Sequence, residues 1–285
     1  MKAIRLWMLA AICIIYVRLP AQTVNEPVNN PSDWSRPYEP FRIAGHLYYV
    51  GTYDLACYLV TTSGGNILIN TGLADSGPQI KQNIEKLGFR YKDLKILLTT
   101  QAHFDHLGAM AAIQKETGAQ FWIDAADAPE AKSGGATDYE LGSLGVSFAP
   151  VVPGKLLKDK DVIQLGETKL TLLHHPGHTK GSCSYMLETK DDNHSYKVLI
   201  ANIPTIIISR KFAEVSEYPD IKKDVANSLT AMKDLQFDIW VASHASQFTL
   251  HSKHKPGDAY NPLAFADRKG YDQALENVWK VYRQK

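Results

Sequence analysis

Four short apolar runs in this 285-residue chain each give out beside a polar or imidazole side chain. Leu94–Thr100 stops at Gln101, Leu170–His174 leads through Pro176-Gly177 to His178, Val198–Ala201 stops at Asn202, and Ile239–Ala242 leads to His244. Continuous apolar runs of this length suit strands buried on both faces. In sheets of that kind the loops beyond the carboxyl ends converge over a rigid platform. Four strand ends with polar termini are therefore expected to meet at one rim.

The rest of the chain supplies the framework such a sheet needs. Residues 22–40 are rich in Pro and Asn, lack a period and read as an N-terminal arm on the surface. From Phe41 the pattern turns to short apolar runs with turn signals between them, at His46–Val50, Ala56–Thr61 and Asn66–Asn70, the last after Ser63-Gly64-Gly65. Gln79–Leu87 has helical spacing and stops at Gly88, and Leu94–Thr99 follows as a strand. The second half repeats the style, with strands expected at Lys169–His174, Cys183–Glu188, Tyr196–Ala201 and Asp238–Ala242 and helices at Ile221–Leu235 and Tyr271–Arg283. No linker separates the halves, so residues 41–285 read as one domain of two α/β halves, about 41–165 and 166–285, sharing a site. Two strand sets with helices outside predict an α/β fold, a four-layer αββα sandwich.

Composition excludes several classes. Hydrophobic residues at 45% and charged residues at 21% are ordinary for a globular domain and fit neither a disordered chain nor a multi-span membrane protein. Lys2 and Arg5 head the uncharged apolar stretch Leu6 to Val17, and Leu19-Pro20-Ala21 offers a cleavage site before Gln22. The stretch is shorter than the roughly 20 apolar residues of a spanning helix. Residues 1–21 are thus expected to act as a signal peptide and to be removed on export to the periplasm. Removal of Lys2, Arg5 and Arg18 reduces the 31 basic residues to 28 against 30 acidic ones, a balance that does not suggest a nucleic-acid binder, and with the signal removed no membrane attachment is expected. Cys57 and Cys183 remain, too few and too far apart for a disulfide framework, and read as unpaired core residues.

The run Gln101-Ala102-His103-Phe104-Asp105-His106 carries the chemistry. Gln101 and His103 stand two apart in an extended segment and point the same way. Asp105 and His106 begin the next helix, Leu107–Glu116, and face elsewhere, so one run can serve two neighbouring metal positions. Zinc takes imidazole nitrogen and carboxylate oxygen, and a catalytic zinc has three protein ligands and one open position. Asp105, His106 and His244 form one such set; Gln101, His103 and His178 form the other. A lone histidine after a strand is more often a hydrogen-bonded loop residue. His-x-Asp-His, joined to Pro176-Gly177-His178-Thr179 and Ser243-His244-Ala245 at other strand ends, reverses that balance. His174 and His175 read as supports behind His178, and His251 and His254, beside Lys253 and Lys255, as surface residues.

These residues resemble the metallo-β-lactamase superfamily, whose signature is His-x-His-x-Asp-His with a distal Gly-His-Thr and a final His. The resemblance runs through Tyr48-Tyr49-Val50-Gly51, Asn66-Ile67-Leu68-Ile69-Asn70-Thr71-Gly72, the central run, Pro176-Gly177-His178-Thr179-Lys180-Gly181-Ser182 and Ser243-His244. It is nearest to subclass B3, in the branch with Gln at the first motif position. It implies a zinc-dependent hydrolase with one or two Zn2+ per chain, Gln101, His103 and His178 at the first position and Asp105, His106 and His244 at the second. It also implies a small-molecule β-lactam substrate (penicillins, cephalosporins, carbapenems), antibiotic resistance as the outcome, and a monomer.

Three departures shape the expectation. Gln101 is a weaker neutral donor than imidazole, which makes the second position the expected seat of the essential zinc. Asn70 replaces the Asp of a common Asp-Thr-Gly turn, keeping hydrogen bonds but losing charge. Ala201-Asn202-Ile203-Pro204 lacks the Asp that bridges two metals in many thioesterase and nuclease relatives. Zinc brings the pKa of a bound water towards ~7 and so provides a nucleophile without a serine, with Asp105 expected to hold the metal and orient the attack. Thr205 and Tyr53 are expected at the substrate, with the Gly-rich loop Ser133–Tyr139 bordering the groove. The competing readings are a lactonase or thioesterase of the same fold and an inert periplasmic binding module.

Overall fold

Seven strands cross the first sheet in sequence order in the computed structural model, which describes residues 24–285. They are β1 (Phe41–Ala44), β2 (Leu47–Tyr49), β3 (Tyr58–Thr62), β4 (Gly65–Ile69), β5 (Leu94–Leu98), β6 (Gln120–Asp124) and β7 (Lys155–Leu157). The first four form an antiparallel meander, and from β4 to β7 the pairing is parallel. The second sheet takes β8 (Val162–Leu165), β9 (Thr168–His174), β10 (Cys183–Lys190), β11 (Ser195–Ala201) and β12 (Ile239–Ala242), with β11 and β12 the parallel pair. The signal segment expected at residues 1–21 lies outside the described residues.

Parallel pairing requires crossovers, and the helices supply them. On the first sheet these are α1 (Gly77–Lys86), α2 (Phe104–Leu107), α3 (Met110–Thr117) and α4 (Ala128–Ser133); α5 (Ile221–Lys233) crosses from β11 to β12, and α6 (Leu250–Lys253) and α7 (Arg268–Tyr282) complete the chain. Side-chain alternation then sorts the apolar residues into two cores. Ile67, Ile69, Ile96 and Leu98 face the second sheet, where they meet Leu170, Leu172 and Tyr185. Leu68 and Leu97 face the other way, onto Ile80 and Ile84 of α1 and Met110 and Ile113 of α3. Val225, Leu229, Tyr271 and Leu275 of α5 and α7 cover the outer face of the second sheet. The result is the αββα sandwich. Among the described residues no helix is long and apolar enough to cross a membrane.

Three expectations need correction. The helix expected at Leu107–Glu116 is two helices, α2 and α3, interrupted at Gly108-Ala109. Gly108 lies so close to the loop below that an added Cβ would meet Leu73 C and Ala74 N at 2.4 Å. The arm is not confined to the surface, since Tyr38 enters the central core. His251 and His254 are partly buried ring partners, His251 stacked on Tyr53 and His254 on Phe41, both at 3.6 Å between centroids. Cys57 and Cys183 are buried and unpaired.

Candidate metal centre

Four strand ends are fastened to one another before any functional side chain is reached. Asn70, after β4, accepts at Oδ1 from Thr100 N (2.9 Å) and Thr100 Oγ1 (3.1 Å). It sits at φ 63°, a left-handed conformation that Asn tolerates better than most residues. Asn202, after β11, donates from Nδ2 to Thr100 O at 2.9 Å, and its Oδ1 accepts from Ser243 Oγ at 3.3 Å. Thr100 and Ser243 hydroxyls meet at 2.9 Å. Asn202 therefore spends its amide on this brace, and Asn70 keeps the hydrogen-bonding part of the role its position implies. Rigidity at Thr100 and Ser243 passes directly to the neighbours Gln101 and His244.

On this platform the donors fall into two groups. Asp105, His106 and His244 each offer one ligand atom, all within 4.8 Å of one another. Asp105 Oδ2 is 3.3 Å from His106 Nε2 and 3.4 Å from His244 Nε2. His106 is fully buried, and neither of its ring nitrogens has a hydrogen-bond partner. An orphaned buried imidazole is costly, and a metal ion at this cluster relieves the cost. In the second group, His103 Nδ1 faces His178 Nε2 at 3.1 Å, with both rings buried. Gln101 is buried too; its backbone carbonyl accepts from Thr99 Oγ1 at 2.7 Å. The Asp105, His106 and His244 group fits zinc in donor chemistry and burial; of the other expected set the structure brings His103 and His178 together.

His103, His178 and His244 are each held from behind. His103 Nε2 meets Asp138 Oδ2 at 3.0 Å. His178 Nδ1 donates to Thr205 O at 2.8 Å, with Thr205 Oγ1 3.0 Å away, and Tyr139 donates its hydroxyl to His178 O at 2.9 Å. His244 Nδ1 meets Asp54 Oδ2 at 3.2 Å. Asp127 staples the two loops of the first position, accepting from Ala102 N (2.9 Å), Thr179 Oγ1 (2.7 Å) and Gly181 N (2.6 Å). Supports of this kind fix the tautomer and the ring angle of metal-binding histidines. His174 Nδ1 meets Asp124 Oδ2 and His175 Nδ1 meets Ser184 Oγ, each at 2.8 Å.

Asp54, Asp127 and Asp138 were not legible as functional residues from the sequence. Asp138 at least falls within the Gly-rich loop expected at the groove. The hydroxyl of Thr205, expected at the substrate, lies against the His178 ring. Tyr53, expected there too, has its ring between His251 and the Arg36 guanidinium, the latter 4.0 Å from the ring centroid.

The charges follow from burial and pairing. Burial opposes ionisation of Asp105, but His106 and His244 outweigh it and hold the carboxyl well below the usual range. His178 is pushed down to about 3 by burial and then by His103, which leaves it the neutral imidazole a metal needs. Burial opposes charge on His244, yet its hydrogen bonds to Asp105 and Asp54 lift it to about 9. Metal binding there therefore releases a proton.

Comparison with known proteins agrees with this geometry. Residues 51–191 match the metallo-beta-lactamase superfamily model. A solved metallo-beta-lactamase from Elizabethkingia meningoseptica is 60% identical, with 93% of this chain and 98% of that one covered at a TM-score of 0.92. A class B3 di-zinc metallo-beta-lactamase from an Alaskan soil metagenome is 63% identical, with 92% and 99% covered at 0.90. A subclass B3 metallo-beta-lactamase of Bradyrhizobium japonicum is 30% identical, with 89% and 95% covered at 0.80. A chain with this fold, these donors and this identity over the full length of solved relatives belongs to the metallo-beta-lactamase superfamily, among its class B3 members.

Proposed function

We propose that this chain is a zinc-dependent β-lactamase, exported to the periplasm as a monomer, that opens the cyclic amide of penicillins, cephalosporins and carbapenems and so confers antibiotic resistance. The observation that carries the reading is the cluster of buried Asp105 and His106 with partly buried His244 in a chain 60% identical to a solved metallo-beta-lactamase. The basic head and apolar stretch within residues 1–21 support export.

Asp105, His106 and His244 would hold a zinc ion, and Gln101, His103 and His178 a second, and such an ion would supply a nucleophile near neutral pH and offset developing negative charge. The chain's own residues do the rest. Asp105 stays ionised, so its carboxylate accepts a hydrogen bond from the attacking water and aims it at the lactam carbonyl. Thr205 holds the His178 ring at Nδ1 through its backbone oxygen, and the hydroxyl beside it is proposed to share in binding the substrate carboxylate, with Tyr53 further along the groove. The Asp105 set contains the one anionic donor of the six. Gln101 weakens the other set, so the Asp105 position is the essential one.

The test is hydrolysis of one penicillin, one cephalosporin and one carbapenem by the purified mature protein, with and without a zinc chelator, beside metal analysis. Chelator-sensitive ring opening is expected. Zinc-replete protein that opens none of the three rings would remove the reading.

A further inference from the structure

The N-terminal arm reaches the metal centre at Trp34. Trp34, in the short 3-10 turn Ser32–Trp34, donates its indole N–H to Asp54 Oδ2 at 3.1 Å. That same oxygen is the partner of His244 Nδ1. The other oxygen, Oδ1, accepts from Ser246 N at 2.8 Å. Asp54 is tied at its backbone as well, donating from N to Asp33 O (3.1 Å) and accepting at O from Ala245 N (2.7 Å). One carboxylate thus joins the arm, the β2–β3 loop and the loop that carries His244. The Trp34 ring adds a wall, with its centroid 5.5 Å from the His244 ring and 6.0 Å from Phe104, the residue between His103 and Asp105.

The consequence concerns His244. Asp54 as acceptor keeps a proton on Nδ1. Nε2, which faces Asp105 at 3.4 Å, is then the nitrogen left to bind a metal once its own proton is released, the tautomer a metal ligand requires. Without Asp54 the ring is free to carry its proton on Nε2 and to turn out of the cluster. Without Trp34 the shared oxygen loses a donor that fixes its direction, and the ring loses the surface that stops it from tilting. The geometry points to a clamp: Asp54 is the positioning residue for His244, and Trp34 of the N-terminal arm holds Asp54 in place, so the arm is part of the metal centre. This rests on the assignment of Asp105, His106 and His244 as zinc ligands.

The test uses the full mature chain and zinc alone as the probe. Dissociation constants are read by competition with a chromophoric chelator for the unmodified protein, Asp54→Asn, Trp34→Phe and Trp34→Ala, with His244→Ala marking which zinc equivalent belongs to this position. Asp54→Asn is isosteric and keeps the backbone ties, so it tests the carboxylate without emptying the space. Outer supports of metal-binding histidines are worth about 10–100-fold in affinity. Asp54→Asn is expected to weaken the His244 equivalent by that range, Trp34→Ala by about tenfold and Trp34→Phe by less, while the other equivalent is unchanged. Cobalt(II) absorption in the visible should shift in the Asp54→Asn protein, a change that mere loss of fold stability does not produce. If the unmodified protein retains zinc and Asp54→Asn and Trp34→Ala bind it as tightly, the clamp is overturned and the metal reading stands. If the unmodified protein takes up no zinc, both fall.

Discussion

Asp138 Oδ2 lies 3.0 Å from His103 Nε2, across the ring from the nitrogen that faces His178. The same aspartate accepts at Oδ1 from Glu140 N (2.9 Å) and Leu141 N (2.6 Å), so its side chain is fixed by its own turn. Burial opposes its ionisation, but His103 holds it down at about 2. A carboxylate in that place makes Nδ1 of His103 a stronger donor. On the proposed ligand assignment the first metal position would have only the weak amide of Gln101 as its third donor, and would depend on that support.

Asp138→Asn should therefore lower zinc affinity at the Gln101, His103 and His178 position by about 10–100-fold and leave the Asp105 position as it was. Stepwise zinc titration by calorimetry separates the two. Equal loss at both positions would point to a general loosening of the loop, and no loss at either would deny Asp138 this role.

His175 is buried, with Nδ1 on Ser184 Oγ, and burial pushes it from its ordinary 6.5 down to about 4. The folded state keeps it neutral while the unfolded chain protonates at about 6.5. The stability this group contributes is thus fully present above pH 6.5 and is lost as pH falls towards about 4. The loss amounts to about 3 kcal/mol across that window. His175→Gln cannot take up the proton, so its urea midpoint should fall less steeply than that of the unmodified protein between pH 6.5 and 4.5. Parallel curves for the two proteins would show that His175 does not titrate in this way.

What the sequence made legible and what it hid divide along physical lines. His103-x-Asp105-His106, His178 and His244 were readable because each closes an apolar strand, and strand ends in an αββα sandwich are brought to one rim by the sheets themselves. The expected division into two groups rests on a change of backbone at this point, extended at His103 and helical from Phe104. Asp54, Asp127 and Asp138 gave no signal because a loop carboxylate has no period, and their partners are set by tertiary approach across 190, 25 and 35 residues. His251 and His254 were misread for the same reason. Their lysine neighbours suggest a surface, while the rings that cover them, Tyr53 and Phe41, lie about 200 residues earlier. Gly108 keeps helical dihedrals, but its N–H donates to Gly72 O at 2.9 Å, outside the helix, and the helical ladder breaks there.

Gln101→His bears on which zinc matters. Gln101 is buried two residues before His103, and imidazole is a better zinc donor than an amide oxygen. The substitution should tighten the first position by at least about tenfold, on the order of 1.4 kcal/mol, so that a second zinc survives dialysis against weak chelator. If the Asp105, His106 and His244 zinc carries the reaction, kcat on a fixed substrate should hardly change while the metal content rises. Unchanged stoichiometry and affinity would mean that Gln101 is not a donor. A rate in the unmodified protein that climbs only with the second equivalent of zinc would move the essential metal to the two-ion centre, and the weak amide would then set how much zinc the enzyme needs in order to work.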